Sequence, residues 1–352
     1  MSCVTPRIAS VATALPAHYA SQEQILEGLS ALWAKDHYNV ERLADLHRST
    51  QVRGRHLALP IDEYPALDTF AKRNDAWIRT AVELGAQATE SALERAGLGP
   101  REIDHVFFVS VTGIATPSID ARIAHRLGFR RDVKRTPIFG LGCVAGAAGI
   151  ARAADYLRAY PGQRALLLSV ELCSLTLQRN DTSIANIIAT GLFGDGASAV
   201  LLTADDGPGP RVVASDSVLY PDSERLMGWD VTDSGFKIVL SAKVPAIARE
   251  NVGVDVDRFL ATRGLTRADI AHWVVHTGGP KVLEAFTEAR GLPAEALARS
   301  WASLREVGNL SSSSVLFVLD AFLRERSARE GDRGLLLAMG PGFCSEMALL
   351  AW

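Results

Sequence analysis

Three residues of this chain have the types and order for acyl chemistry: Cys143, His276 and Asn309. Cys143 follows Leu141-Gly142 and opens a run, Val-Ala-Gly-Ala-Ala-Gly-Ile-Ala, that is apolar almost all round. Such a run predicts a central buried helix from Cys143 to about Arg158. A helix N-terminus gathers unsatisfied N–H groups and about half a positive charge, which favours thiolate over thiol. The thiolate is the nucleophile that acyl transfer needs. A buried cysteine is otherwise an ordinary packing residue. The helix start, and a polar counterpart in the second half of the chain, argue for chemistry here.

His276 ends the strand-like segment His272-Trp-Val-Val-His276, just before Thr277-Gly278-Gly279-Pro280. Strand ends in α/β sheets open onto ligand crevices. A histidine there serves as general base or hydrogen-bond donor. His272 is read as packing only. Asn309 is either an N-cap or, with His276, an N–H donor to a developing oxyanion. Gly278 and Gly279 let the backbone approach a ligand, or simply turn it.

What must position these residues is an internal repeat, which dictates architecture before any local reading. Gly97-Leu-Gly-Pro-Arg-Glu-Ile-Asp-His-Val-Phe-Phe-Val is echoed by Gly264-Leu-Thr-Arg-Ala-Asp-Ile-Ala-His-Trp-Val-Val-His. Leu141-Gly142-Cys143 is echoed by Val307-Gly308-Asn309, at an offset of 309 − 143 = 166. The helix-like Ala153–Arg158 and Leu319–Arg324 keep that offset, and each copy closes on a strand-like run, Arg164–Leu168 and Arg333–Leu337. Two long copies predict a duplicated α/β unit whose halves pack face to face. A pseudo-two-fold axis then brings Cys143 and Asn309 together at the starts of equivalent helices. The halves are 1–205 and 206–352, divided at Asp205-Asp-Gly-Pro-Gly-Pro210. Trp77–Ala96 reads as helix, His105–Val111 as a strand buried on both faces, and Thr116–Leu127 as a short helix. The second half reads as a Val212-Val213 strand, a loop over Asp216–Gly235, a helix over Val239–Val252, the repeat and a closing strand, Met347–Leu350.

The chain has 352 residues, 48% hydrophobic and 22% charged, which suits a globular protein with two domains or one large core. A net charge of −3 favours neither nucleic acid nor a membrane surface as partner. No apolar run reaches spanning length, and Met-Ser-Cys-Val-Thr-Pro-Arg lacks the regions of a signal peptide. Cys3, Cys143, Cys173 and Cys344 show no C-x-x-C pairing. That argues against a zinc site or a disulfide framework and for a cytoplasmic protein.

The Cys–His–Asn set, at equivalent points of two repeats, resembles that of thiolase-like condensing enzymes. Over essentially its whole length the chain resembles bacterial type III polyketide synthases, relatives of chalcone synthase. The stretches that carry this are Leu141-Gly-Cys143-Val-Ala-Gly, Gly191-Leu-Phe-Gly-Asp-Gly196, His276-Thr-Gly-Gly-Pro280, Gly308-Asn309-Leu-Ser-Ser and Gly340-Pro-Gly-Phe343. The His-Thr-Gly-Gly-Pro and Gly-Pro-Gly-Phe segments distinguish it from initiating ketosynthases of fatty-acid synthesis. The resemblance implies a homodimeric thiolase-like α/β fold with a five-layered αβαβα core. It implies acyl-CoA and malonyl-CoA as substrates, with no metal or redox cofactor.

Residue by residue, it implies that Cys143 takes the starter acyl group. His276 and Asn309 then bind the malonyl thioester carbonyl, assist decarboxylation and stabilise the enolate. Phe193 and Phe236 resemble two gatekeepers between the CoA tunnel and the cavity. Thr176, Ser311 and Gly228 resemble cavity-lining positions, and Glu171 a buried acid near the cyclisation site. Thr116 stands where the family has a methionine that crosses into the partner's cavity. Arg48, Arg53 and Lys281, with Gly278 and Gly279, are candidates for contact with CoA, whose phosphates need cations. Met227–Val231, Cys173–Gln178 and Met339–Glu346 look most like synthases of alkylresorcinols or alkylpyrones. The expected starter is therefore a medium- or long-chain fatty acyl-CoA. The alternatives are malonyl-only synthesis of a tetrahydroxynaphthalene, an initiating ketosynthase, a cysteine hydrolase and a non-catalytic acyl-binding relative.

Overall fold

In the strand Ala165–Leu172 every residue is buried, yet neighbours enter different cores. Ala165 and Leu167 join one apolar cluster, while Leu166, Leu168, Val170 and Leu172 join another. This follows from the period of two along a strand, and it requires packing on both faces. The second half repeats the arrangement. Leu336 and Ala338 of Arg333–Gly340 face the first cluster, and Leu335, Leu337 and Met339 face a third. The shared central cluster contains the helices Ala145–Ala159 and Ser314–Glu325. Helices Phe70–Ala96 and Ile119–Leu127 cover the outer face of the first half-sheet. Val244–Ala261 and Pro280–Arg290 cover the outer face of the second. The result is helix, sheet, helix, sheet, helix: the five-layered thiolase-like core expected from the sequence. This computed structural model describes residues 4–33, 39–290, 292 and 294–352; Cys3 lies outside them.

From edge to edge the strands run His272–Val275, Arg333–Gly340, Cys344–Ala351, Arg211–Leu219, Arg7–Ala14, Asp195–Thr203, Ala165–Leu172, His105–Val109 and Lys134–Ile138. Lys134–Ile138, His105–Val109 and Ala165–Leu172 are parallel. Asp195–Thr203 and Arg7–Ala14 continue that half antiparallel. His272–Val275 and Arg333–Gly340 repeat the parallel pairing, and Cys344–Ala351 and Arg211–Leu219 the antiparallel one. The half-sheets meet where Arg7 pairs with Arg211.

Phe70–Ala96 begins before the expected Trp77. The Thr69 side chain caps it by accepting from the Lys72 N–H, and Gly97, at φ 67°, ends it in the left-handed conformation. Two expectations need correction, and one strand is an addition. The Asp216–Gly235 segment is not all loop: Arg211–Leu219 is a strand, and Met227–Thr232 pairs with Gly235–Leu240 as a hairpin. The helix expected over Val239–Val252 is shifted to Val244–Ala261, with Pro245 in its first turn. The strand Lys134–Ile138 was not foreseen.

The two central helices end 325 − 159 = 166 residues apart, as the repeat requires. They begin 314 − 145 = 169 apart, so the second starts late. Cys143 therefore lies in a short 3-10 turn, Gly142–Val144, directly before its helix. Asn309 lies outside its own, ahead of the turn Ser311–Ser313. The expectation that both open equivalent helices holds for neither in full.

Candidate active site

Close packing of small residues places Cys143. A Cβ on Gly146 would stand 2.3 Å from the Ser312 carbonyl oxygen, and one on Gly142 would stand 2.7 Å from the Pro341 ring. The turn of Cys143 is thereby pressed against Ser311–Ser313 on one side and Gly340-Pro341 on the other. The Cys143 thiol donates to the Ser311 hydroxyl, Sγ to Oγ 3.8 Å. Ser311 is a non-glycine residue at φ 49°, a strained conformation that a tightly packed site can hold.

Asn309 is fixed by its backbone and its side chain together. Its N–H donates to the Leu192 carbonyl (2.9 Å), and its own carbonyl accepts from the Gly194 N–H (3.0 Å). Asn309 and Phe193 thus form a short bridge. The Asn309 side-chain oxygen accepts from the Ser311 N–H (2.8 Å) and the Ser314 hydroxyl (3.3 Å). Two donors on that oxygen orient the amide, so its other end is the NH2 donor. The Asn309 side chain thus holds the turn Ser311–Ser313 through its oxygen.

His276 follows the strand His272–Val275, and its N–H donates to the Leu337 carbonyl at 2.9 Å. Its ring is buried, with Nδ1 lacking a partner among the described residues. The turn after it reaches back to Asn309: Gly279, at φ 129°, packs where a Cβ would stand 3.6 Å from Leu192, whose carbonyl holds Asn309. Cys143, Ser311, Asn309, Leu192, Gly279 and His276 make one contiguous set.

Burial pushes the Cys143 thiol up to about 12, with the Ser311 hydroxyl opposing and the Glu171 carboxylate adding to the shift. Burial pushes the His276 imidazole down to about 3. Burial thus favours the uncharged form of both residues and opposes the preference for thiolate expected from the helix start. Each shift measures the cost of one isolated buried charge. A proton moved from Cys143 to His276 would create both charges at once, and each would then offset the other. His276→Ala would remove any such route, and the raised thiol value would leave less thiolate at neutral pH. Iodoacetamide should then label Cys143 more slowly at pH 7 than in the parent, with the rate still climbing towards about pH 12. An unchanged rate–pH profile would remove His276 from this role.

Glu171 is fully buried behind Cys143. Its Oε1 accepts from the Ser312 hydroxyl, and its Oε2 from the Val111 N–H (3.1 Å) and the Thr112 hydroxyl (2.9 Å). Burial raises its pKa, and these hydrogen bonds oppose that. Sequence reasoning missed Ser312.

A mainly apolar cavity of about 170 Å³ lies beside the Phe193–Asn309 bridge. Its lining includes Phe193 and Thr176, with Ile25, Leu29 and Leu32 of the helix Gln22–Trp33 across from them. That helix was not foreseen as a wall, because nothing in its own residues points to a ligand. The cavity lining does not include Glu171, Ser311, Gly228, Phe236 or Thr116. Phe236 is buried among aromatics, edge-on to Phe70 at 5.3 Å and near Trp229 at 6.2 Å. Of the two phenylalanines expected as gatekeepers, Phe193 lines this cavity and Phe236 does not. Thr116 is exposed, in the loop before Ile119–Leu127. Gly228, at φ 153°, is half-buried in the hairpin.

Arg48, Arg53 and Lys281 are all exposed. Arg48 is paired with Asp45, which lessens its pull on a phosphate. Arg53 donates its N–H to the Arg305 carbonyl at 2.8 Å, so a second exposed arginine belongs to this face. Arg305 was overlooked because it is remote in sequence. Among the described residues no group of three or more His, Cys, Asp or Glu could hold a metal, and no helix is long and apolar enough to cross a membrane.

A duplicated five-layered core with a buried cysteine, histidine and asparagine in one set is the architecture of a condensing enzyme. The chain belongs to the chalcone and stilbene synthase family: the N-terminal domain of that family matches residues 5–206 and the C-terminal domain residues 211–351. Within it the chain is a type III polyketide synthase, an acyltransferase. It is 49% identical to a 1,3,6,8-tetrahydroxynaphthalene synthase of Streptomyces peucetius subsp. caesius, over 98% of this chain and 93% of the relative. It is 36% identical to a putative chalcone synthase of Bacillus subtilis, over 98% of each chain. The solved structure of 1,3,6,8-tetrahydroxynaphthalene synthase from Streptomyces coelicolor, a bacterial type III polyketide synthase, superposes with a TM-score of 0.94 at 33% identity, covering 98% of this chain and 99% of that one.

Proposed function

We propose that this synthase loads a medium- or long-chain fatty acyl group from CoA, extends it with malonyl-CoA, and closes the product to an alkylpyrone or alkylresorcinol. The observation that supports this starter is the apolar cavity bounded by Phe193, Thr176 and the Ile25–Leu29–Leu32 face.

In this scheme Cys143 attacks the acyl-CoA carbonyl as His276 takes the thiol proton. The proton then leaves with the CoA thiolate. Malonyl-CoA next binds with its thioester carbonyl oxygen towards the His276 ring and the Asn309 NH2. Loss of CO2 puts the electron pair on the α-carbon and negative charge on that oxygen, which the two donors stabilise. The α-carbon attacks the Cys143 thioester, the new carbon–carbon bond forms, and Cys143 leaves. The chain, now on CoA, returns to Cys143 for the next round. Decarboxylation drives bond formation, so neither a metal nor a redox cofactor enters the scheme.

We also read the molecule as a homodimer. Lys134–Ile138 is an edge strand, and Phe139 after it is 55% exposed. Open edges and exposed apolar residues of this kind call for cover. Light scattering should give about twice 37.8 kDa, and a monomer at micromolar concentration would refute it.

A second reading, malonyl-only synthesis of a naphthalene product, is favoured by the name of the 49% identical relative. A panel of CoA thioesters from acetyl to palmitoyl separates the two. Each buried methylene adds at most about 0.8 kcal/mol of binding. The specificity constant should therefore climb with chain length until the cavity is full. A flat profile, or efficient turnover of malonyl-CoA alone, would overturn the fatty acyl starter and leave the family assignment untouched.

A further inference from the structure

Arg55 is 1% exposed; among the described residues it makes no direct salt bridge, and the buried Asp195 carboxylate acts on its charge from a longer distance. Burial lowers its pKa to about 10, so it remains a cation at neutral pH. With no carboxylate in direct contact, the N–H groups of the buried guanidinium must find other acceptors. Its guanidinium donates to the Gly191 carbonyl at 2.5 Å and to the Thr190 carbonyl. Both carbonyls lie in the last turn of the helix Ile184–Leu192, where the helix dipole concentrates negative charge. The Gly191 carbonyl also accepts from Gln22 (2.9 Å) and Thr50 (3.1 Å).

The chain leaving that helix is the one that holds the site. Leu192 offers its carbonyl to the Asn309 N–H, Phe193 bridges Asn309, and Gly194 donates to the Asn309 carbonyl. A Cβ on Gly194 would stand 3.2 Å from the Arg55 Cβ and 2.5 Å from the Val307 carbonyl, so the two segments and Arg55 are in close contact. The same short stretch of chain reaches the other partner, because the Arg53 N–H donates to Arg305 near the end of the helix Ala298–Val307, which runs into Gly308 and Asn309. Residues 53–55 therefore tie together two helix ends whose outgoing chains meet at Phe193 and Asn309.

We infer that Arg55 is a positioning residue: its buried guanidinium sets the C-terminal end of Ile184–Leu192, and through it the Asn309 donor in the decarboxylation step. Arg55 also lines the apolar cavity, but the role inferred acts through Asn309 and not through contact with the acyl chain. The inference rests on the proposed part of Asn309 in enolate stabilisation. A displacement on the order of 1 Å in such a group costs up to about 100-fold in rate.

The test uses Arg55→Met, which keeps length and removes the charge, and Arg55→Lys, which keeps the charge and loses the fork. Two quantities are read: malonyl-CoA decarboxylation, as kcat and KM, and single-turnover acyl loading of Cys143. In Arg55→Met the decarboxylation kcat should fall about 10- to 100-fold, with KM and loading changed less than about threefold. Arg55→Lys should recover part of the loss, since one carbonyl can still be held. Decarboxylation near the parent rate in a folded Arg55→Met, or equal loss of loading and decarboxylation, would overturn the inference. So would failure of both variants to fold, which makes the residue structural only. If Arg55→Met alone fails to fold, Arg55→Lys decides on the same two quantities. Parent enzyme that does not decarboxylate malonyl-CoA would instead defeat the functional reading on which the inference rests.

Discussion

Replacing Cys143 with alanine is expected to abolish polyketide formation while leaving the fold intact. The scheme has no second acyl acceptor: Cys173 is buried with its thiol raised well above the ordinary range, and the Cys344 thiol is pushed up to about 11, in both cases by burial first. The substitution removes one sulfur from a neighbourhood of Val144, Ala145 and Ala147, all buried and apolar, so it adds no bulk and strands no buried polar partner other than the Ser311 hydroxyl. Loss of product with an unchanged denaturation midpoint is the expected result. Product from the variant, or iodoacetamide labelling of Cys173 or Cys344 ahead of Cys143 in the parent, would refute the assignment of the nucleophile.

Asn309→Ala should separate two halves of the reaction. Asn309 has no part in proton removal from Cys143, so rapid-quench loading with radiolabelled starter should change little. Decarboxylation loses one oxyanion donor, which is worth about 100- to 1000-fold in rate. The variant also loses the acceptor that caps the Ser311 N–H and the Ser314 hydroxyl, a cost of about 1 kcal/mol in stability. Equal loss of loading and decarboxylation would show that Asn309 shapes the site without acting on the enolate.

The parts of this account that were legible in the sequence are those written in short-range pattern. A run apolar all round between Cys143 and Arg158 leaves only a central helix as its place. Strands buried on both faces, such as His105–Val109 and Ala165–Leu172, show no alternation and so declare a layer on each side. The repeat gave the pairing of the halves. It misled on one detail, because the second central helix starts late and a repeat in sequence does not fix where a helix begins.

The parts that were not legible depend on contacts between distant segments. Lys134–Ile138 carries Lys, Arg and Pro, as an edge strand with one neighbour can, and lacks the apolar signature of its partners. The hairpin Met227–Leu240 is mostly half-buried or exposed, so no apolar face announced it. The ring of Phe236 packs against Phe70, which lies far away in sequence, and no local pattern announces that contact. Arg55 carried no signal at all, since its partners are backbone carbonyls, which every residue has.

The central claim is that the growing chain is built on Cys143. The most direct measurement is mass spectrometry of the protein and its Cys143 peptide, quenched during turnover with an acyl-CoA and malonyl-CoA. The account predicts adducts confined to that peptide: the starter acyl group first, then the same group lengthened by successive ketide units, with free CoA and CO2 released in step. Adducts on the Cys173 or Cys344 peptide, or release of CoA and free acid with no lengthened adduct on Cys143, would contradict it.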